Sequence, residues 1–264
     1  MSNARVSWIG GVSSAARRIA LMGMAVLVAA CAHHQPVRHD GNTAVYITAA
    51  QGAPLIERFS PVFVVYEAAD AFNRIGTPEV IRRDGKNLVQ VSAEAPAVYV
   101  MTHTFKTARA AYTNLVYRVH FPQIPYRLVP FNLTAGDNVG LMVVVTLDRE
   151  NRPLLVTTVH TCGCYMAITP TDHLSADMYP VDWKPGPVAV YGERLPGRLI
   201  YAGVHTPRLR VHLRPSVHRV MHLEVVDGTT IISGPPEPIP MPVRDMLVIA
   251  AIVPFRDRRK RATL

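Results

Sequence analysis

Cysteine is scarce in this chain: among 264 residues only Cys31, Cys162 and Cys164 occur, so no more than one disulfide can form within it. Long apolar runs are also missing. Ile19–Ala30 has twelve residues and Met246–Phe255 ten, both short of the about 20 that a helix needs to cross hydrocarbon. Between residues 60 and 230 no i, i+3, i+4, i+7 apolar spacing is sustained, which argues against long amphipathic helices there. No internal repeat of fixed period is found. Gly-x-Ser-x-Gly elbows, papain-like cysteine surroundings and His-Glu-x-x-His motifs are absent, so nothing points directly to a hydrolase. The only dense basic run is the C-terminal Arg256, Arg258, Arg259, Lys260 and Arg261, so no nucleic-acid partner is expected.

What the chain does have is apolar residues (49%), frequent Pro (22) and Gly (16), and a net charge of +9. That apolar content supports a sizeable core and excludes wholesale disorder. Frequent punctuation suits a strand-rich fold. Three of the positive charges, Arg5, Arg17 and Arg18, lie before Cys31, where there is no acid. A basic start, the apolar stretch Ile19–Ala30 and small residues just before a cysteine have the order of a secretory signal.

The tail Val28-Ala29-Ala30-Cys31 resembles the lipobox of bacterial lipoproteins, with Val28 in place of the commoner leucine. The resemblance covers about the first 31 residues and implies a lipidated Cys31, removal of residues 1–30 and attachment to a membrane through acyl chains. Ala32 follows the cysteine, where in two-membrane cells an Asp marks retention in the inner membrane. The resemblance therefore implies an outer-membrane anchor facing the periplasm. Residues 31–54 read as a lipidated tether, in which His33, His34 and His39 are solvated, although Val45–Thr48 could form a short strand.

From residue 55 to 264 the expectation is one all-β domain, sandwich-like or barrel-like. Expected strands are Pro61–Tyr66, Asn87–Val91, Ala97–Phe105, Leu115–Phe121, Arg198–Val204, Leu209–Leu213 and Val217–Val226. Asn73–Pro78 reads as a loop in which Gly76 is free to take positive φ. Leu115–Phe121 alternates, which predicts a wet face made by Val116, Arg118 and His120. The clearest unit is a hairpin: Val139–Leu147, a turn over 148–153, and a return over Leu154–Ile168. Gly234–Pro242 must be extended, because successive prolines exclude helix and remove ladder donors. Met246–Phe255 reads as a last core strand before a solvated tail.

His160-Thr161-Cys162-Gly163-Cys164-Tyr165-Met166 is the segment richest in chemistry. If the return strand continues through it, His160, Cys162, Cys164 and Met166 share one face. These side chains are a candidate soft-metal set, with copper favoured over zinc by ligand type and spacing. Cys162 and Cys164 are equally a candidate disulfide or redox pair. Residues i and i+2 of a flat strand lie about 6.5–7 Å apart, so a bridge needs a bend, which Gly163 permits. Inert packed thiols and a cysteine nucleophile remain the other readings. Arg208, Arg210, His212 and Arg214 alternate with apolar residues, a wet strand face that an anionic ligand or head group could use. His218 and His222 would share a strand face. With Cys31 lipidated, these features describe a membrane-anchored binding or structural domain, not expected to be an enzyme, whose partner would be an anionic ligand or another envelope protein. The alternative is a copper or thiol-redox protein.

Overall fold

The computed structural model describes residues 42–128, 134–183, 186–232 and 236–248. Cys31, the tether histidines His33, His34 and His39, and the basic C-terminal run lie outside these residues. Strands make up 52% and helix 10%, in several sheets. The chain order is β1 Ala44–Thr48, α1 Pro54–Phe59, β2 Val62–Val65, β3 Thr77–Arg83, β4 Lys86–Ser92, β5 Val98–Lys106, β6 Ala111–Ile124, β7 Gly136–Leu147, β8 Pro153–His160 and β9 Ala167–Pro170. After these come β10 Val188–Val190, β11 Glu193–Leu195, β12 Pro207–Leu213, β13 Val220–Asp227, β14 Ile239–Met241 and β15 Val243–Asp245. Among the described residues no helix is long and apolar enough to cross a membrane.

Two sheets face each other. One has the order β13-β12-β2-β1-β14, the other β15-β5-β6-β7-β8-β9. Alternate residues of each point inward: Phe63, Val65, Leu209, Val211 and Leu213 from the first meet Leu115, Tyr117, Val119, Phe121, Val143, Val145 and Val156 from the second in one core. This is the all-β sandwich that the alternation predicts. The segment 239–245 closes one side. β14 pairs with β1 and β15 with β5, both in parallel. Between them Pro242 turns the corner, its carbonyl accepting the Val98 N–H at 3.1 Å. From Ile239 the proline-rich segment is therefore extended and joins a sheet edge, where missing N–H groups cost least.

The short strand allowed at Val45–Thr48 is present as β1, which is hydrogen-bonded on both sides, to β2 and β14, and so belongs to the sandwich although it lies within the expected tether range. The hairpin is present, with the turn held by Asp148, whose carboxylate accepts the Glu150 and Arg152 N–H groups at 3.0 and 2.8 Å. Arg198–Val204 is not a strand. Instead the Asp172 carboxylate accepts the Tyr201 and Ala202 N–H groups at 2.9 and 2.8 Å, so side chain rather than ladder satisfies that backbone. Gly76 is not left-handed. Its N–H donates to the His120 carbonyl at 2.9 Å, and a Cβ there would overlap the Ser92 carbonyl oxygen. Close backbone approach, not positive φ, is what requires glycine. The strand expected at Met246–Phe255 ends as β15 before it begins: 246–248 are helical, Met246 packs on Ala97 and Tyr99, and the rest lies outside the described residues.

The expected wet face of β6 is also corrected. Val116 and His120 are both buried. His120 Nδ1–H donates to Asn138 Oδ1 at 3.0 Å, and the ring meets Tyr99 edge-on at 5.6 Å. Period-2 alternation identifies two faces, but the outer one is covered here by side chains distant in sequence.

Candidate functional site

Leu154, Val156, Thr158 and His160 are buried on successive alternate positions of β8. His160 is the last member of that inward-facing set, and the strand ends with it. Its imidazole is 1% exposed, and Nε2 donates to the His218 carbonyl at 3.0 Å. That bond settles the tautomer, leaving the Nδ1 lone pair inside the core. Burial holds the imidazole below the usual histidine range. The bond to His218 opposes this shift, and the nearby Arg219 charge adds to it.

Beyond His160 the chain turns back on itself. Gly163 N–H donates to the His160 carbonyl at 2.8 Å, and His160 N–H to the Cys164 carbonyl at 3.0 Å. Gly163 (φ 81) and Tyr165 (φ 55) are both left-handed, the conformation that ends strand alternation and that glycine tolerates without a Cβ penalty. Thr161 anchors the turn to β7 in both directions: its N–H donates to the Gly140 carbonyl at 2.8 Å, and its Oγ1 accepts the Gly140 N–H at 3.1 Å. A Cβ on Gly140 would lie 2.6 Å from Thr161 Cγ2, so glycine is needed there for the approach.

Tyr165 pins the far side. Its hydroxyl bonds Thr134 Oγ1 at 3.2 Å. Its ring packs edge-on against His160 at 4.9 Å and against Tyr191 at 4.7 Å, and the Arg219 guanidinium lies 5.9 Å from its centre. Arg219 in turn belongs to a buried charge cluster. Glu193, at 1% exposure, accepts from Arg219 Nε at 2.6 Å and from Arg214 Nη2 at 2.8 Å. Burial pushes its carboxyl up, but the hydrogen bonds and charges of the two guanidiniums together outweigh this and hold it below the usual range.

The expected common face of His160, Cys162, Cys164 and Met166 is therefore not formed. His160 points into the core, Cys162 is exposed, Cys164 is half-buried, and Met166 is 59% exposed. The turn removes the strand geometry on which a four-ligand metal set rested. Among the described residues no group of three or more His, Cys, Asp or Glu side chains is placed to hold a metal ion. The same turn supplies the bend that a cysteine pair needs. Both cysteines are thiols here. Cys164 N–H faces Cys162 Sγ at 3.3 Å, and the Cys164 thiol is pushed up, first by its hydrogen bond to the Cys162 side chain and then by burial.

The basic strand face is likewise resolved into partners. Arg210 Nη1 and His212 Nε2 both reach Glu224 Oε1, at 3.1 and 2.9 Å, and His212 Nδ1 bonds the Tyr66 hydroxyl at 2.8 Å. Arg214 pairs with Glu193, whereas Arg208 is the exception: its Nε is buried without a hydrogen-bond partner among the described residues. Neither Glu193 nor Glu224 was picked out by sequence reasoning; the alternation that aligned the cations on β12 applies equally to β13, and Arg210 faces Glu224 in the ladder. His218 and His222 do not share a face. The tight turn before β13 puts His218 (φ 53) in the core, stacked on Phe121 at 4.1 Å, and leaves His222 exposed.

No protein-family model, curated protein or solved structure matches the chain.

Proposed function

We propose that this chain is a lipid-anchored protein of the bacterial envelope whose β-sandwich displays a dithiol as its reactive feature. The observation that carries the reading is the turn after β8, which brings Cys162 and Cys164 together outside the core. The lipobox resemblance at Cys31 supports export to an oxidising compartment, where such a pair cycles between dithiol and disulfide. Lipid on Cys31 leaves the pair as the chain's only free thiols. The sandwich contributes a fixed mount, and its other titratable side chains around the turn, His160, Glu193 and Arg219, are occupied with one another or with backbone.

Two measurements test it. Growth with an acyl-chain analogue labels the wild-type chain and not Cys31→Ala; an unlabelled wild type overturns the anchor. Thiol counting on Cys31→Ala protein finds two thiols after reduction and none after mild oxidation, with the mass of an internal disulfide. Two thiols that survive oxidation, or that react independently, overturn the dithiol.

A further inference from the structure

We infer that Cys162 is the attacking thiol and Cys164 the resolving thiol in exchange with an accessible disulfide. This assignment rests on the dithiol reading above and goes beyond it by giving the two sulfurs different roles and naming the substrate class.

Three features of the turn make the pair unequal. Exposure is the first: Cys162 is exposed and Cys164 half-buried, so an incoming disulfide meets Cys162 first. The second is the donor set. Cys162 Sγ faces the Cys164 backbone N–H at 3.3 Å, a fixed dipole aimed where negative charge gathers on a nucleophilic sulfur. Cys164 Sγ instead points towards the Cys162 carbonyl oxygen at 4.0 Å, an acceptor, which suits a sulfur that still carries its proton. The third is rigidity. Thr161 and Tyr165 bind the two ends of the turn to β7, His160 and Thr134, so this orientation does not have to be assembled at each encounter. The upward shift of the Cys164 thiol agrees with these contacts.

The exchange balances as follows. The Cys162 thiolate, its proton lost to water, attacks one sulfur of a disulfide RS–SR′. A Cys162–SR bond forms, the S–S bond breaks, and R′S⁻ leaves and takes up a proton. Cys164 then loses its proton and attacks Cys162 Sγ, which releases RS⁻, protonated in turn. The protein dithiol is oxidised to an internal disulfide and the substrate disulfide is reduced to two thiols. The bridge spans only Gly163, so it is exposed and closes a very small ring. Such bridges are more readily reduced than structural ones, and the reverse reaction hands the disulfide on to another thiol pair.

The test uses the full chain carrying Cys31→Ala, with glutathione disulfide as the probe. The parent protein should end as an internal disulfide with no retained glutathione. Cys164→Ser should accumulate a stable glutathione adduct on Cys162, located by peptide mass mapping. Cys162→Ser should react at Cys164 about tenfold or more slowly at pH 7, the rate following thiolate fraction and access. Circular dichroism on each variant establishes that the fold is kept, and neither cysteine belongs to the hydrophobic core. Equal rates for the two variants, or faster reaction of Cys162→Ser, overturn the assignment while leaving the dithiol intact. A parent protein that forms no internal disulfide overturns the underlying reading instead.

Discussion

His160 Nε2 donates to the carbonyl of His218 at 3.0 Å, and this bond crosses from the end of β8 in one sheet to the turn between β12 and β13 in the other. The residue that precedes the thiol turn is thereby tied to the opposite half of the sandwich. Replacing His160 by Ala orphans a buried carbonyl, which costs about 1–3 kcal/mol before any cavity is counted. Denaturant unfolding should show a loss at least this large. Alkylation of Cys162 should also change in rate, because Tyr165 loses the ring it packs on.

The buried histidines make stability depend on pH. Burial holds His120 and His218 down to about 3, whereas in the unfolded chain they titrate near 6.5. Between these values the unfolded state binds more protons, so stability is full above pH 6.5 and falls as pH drops towards 3. Glu193, held below its ordinary value, adds a loss of the same sign in a lower window, below about pH 4.5. Urea midpoints at pH 7.5, 6 and 5 check the histidine part. His218→Asn keeps a side chain suited to positive φ and should lessen the slope in that window by one proton.

Glu193→Gln should be among the most damaging single changes. It leaves Arg214 and Arg219 facing each other in a nearly closed site without their carboxylate. Removing one partner of a buried charge pair costs about 3–5 kcal/mol, readable as a fall in thermal midpoint. Because Arg219 also sits over Tyr165, the variant should loosen the thiol turn as well.

Two glycines should respond to alanine to different degrees and for different reasons. At Gly76 a Cβ meets the Ser92 backbone, so Gly76→Ala should destabilise by more than about 1–3 kcal/mol, the usual cost of overpacking. At Gly163 nothing lies within 4 Å and only the left-handed backbone resists, so Gly163→Ala should cost about 1 kcal/mol. Its effect should fall on thiol reactivity rather than on the unfolding midpoint.

Much of the strand inventory is legible from alternation: β2, β4, β5, β6, β7 and β12 lie where the apolar pattern puts them. The Asp84-Gly85 pair, a two-residue hairpin signal with both residues at positive φ, marks the turn that sets β3 opposite β4. Arg198–Val204 carries a strand-like composition, but the Asp172 carboxylate captures its backbone from a distant loop.

The sequence by itself determined that the chain is built of strands, that a hairpin leads into the cysteine segment, and that Gly163 allows a bend between Cys162 and Cys164. Those properties are local: side-chain alternation, turn chemistry and spacing along the chain. Only the tertiary structure decided that His160 turns inward to His218 while Cys162 stays outside, that His120 is covered, that Arg210 and His212 of β12 meet Glu224, and that Arg214 just beyond it meets Glu193. Each of these depends on which strand lies beside or above another. Alternation tells how many faces a strand has, and the packing of residues far apart in sequence settles what covers each face.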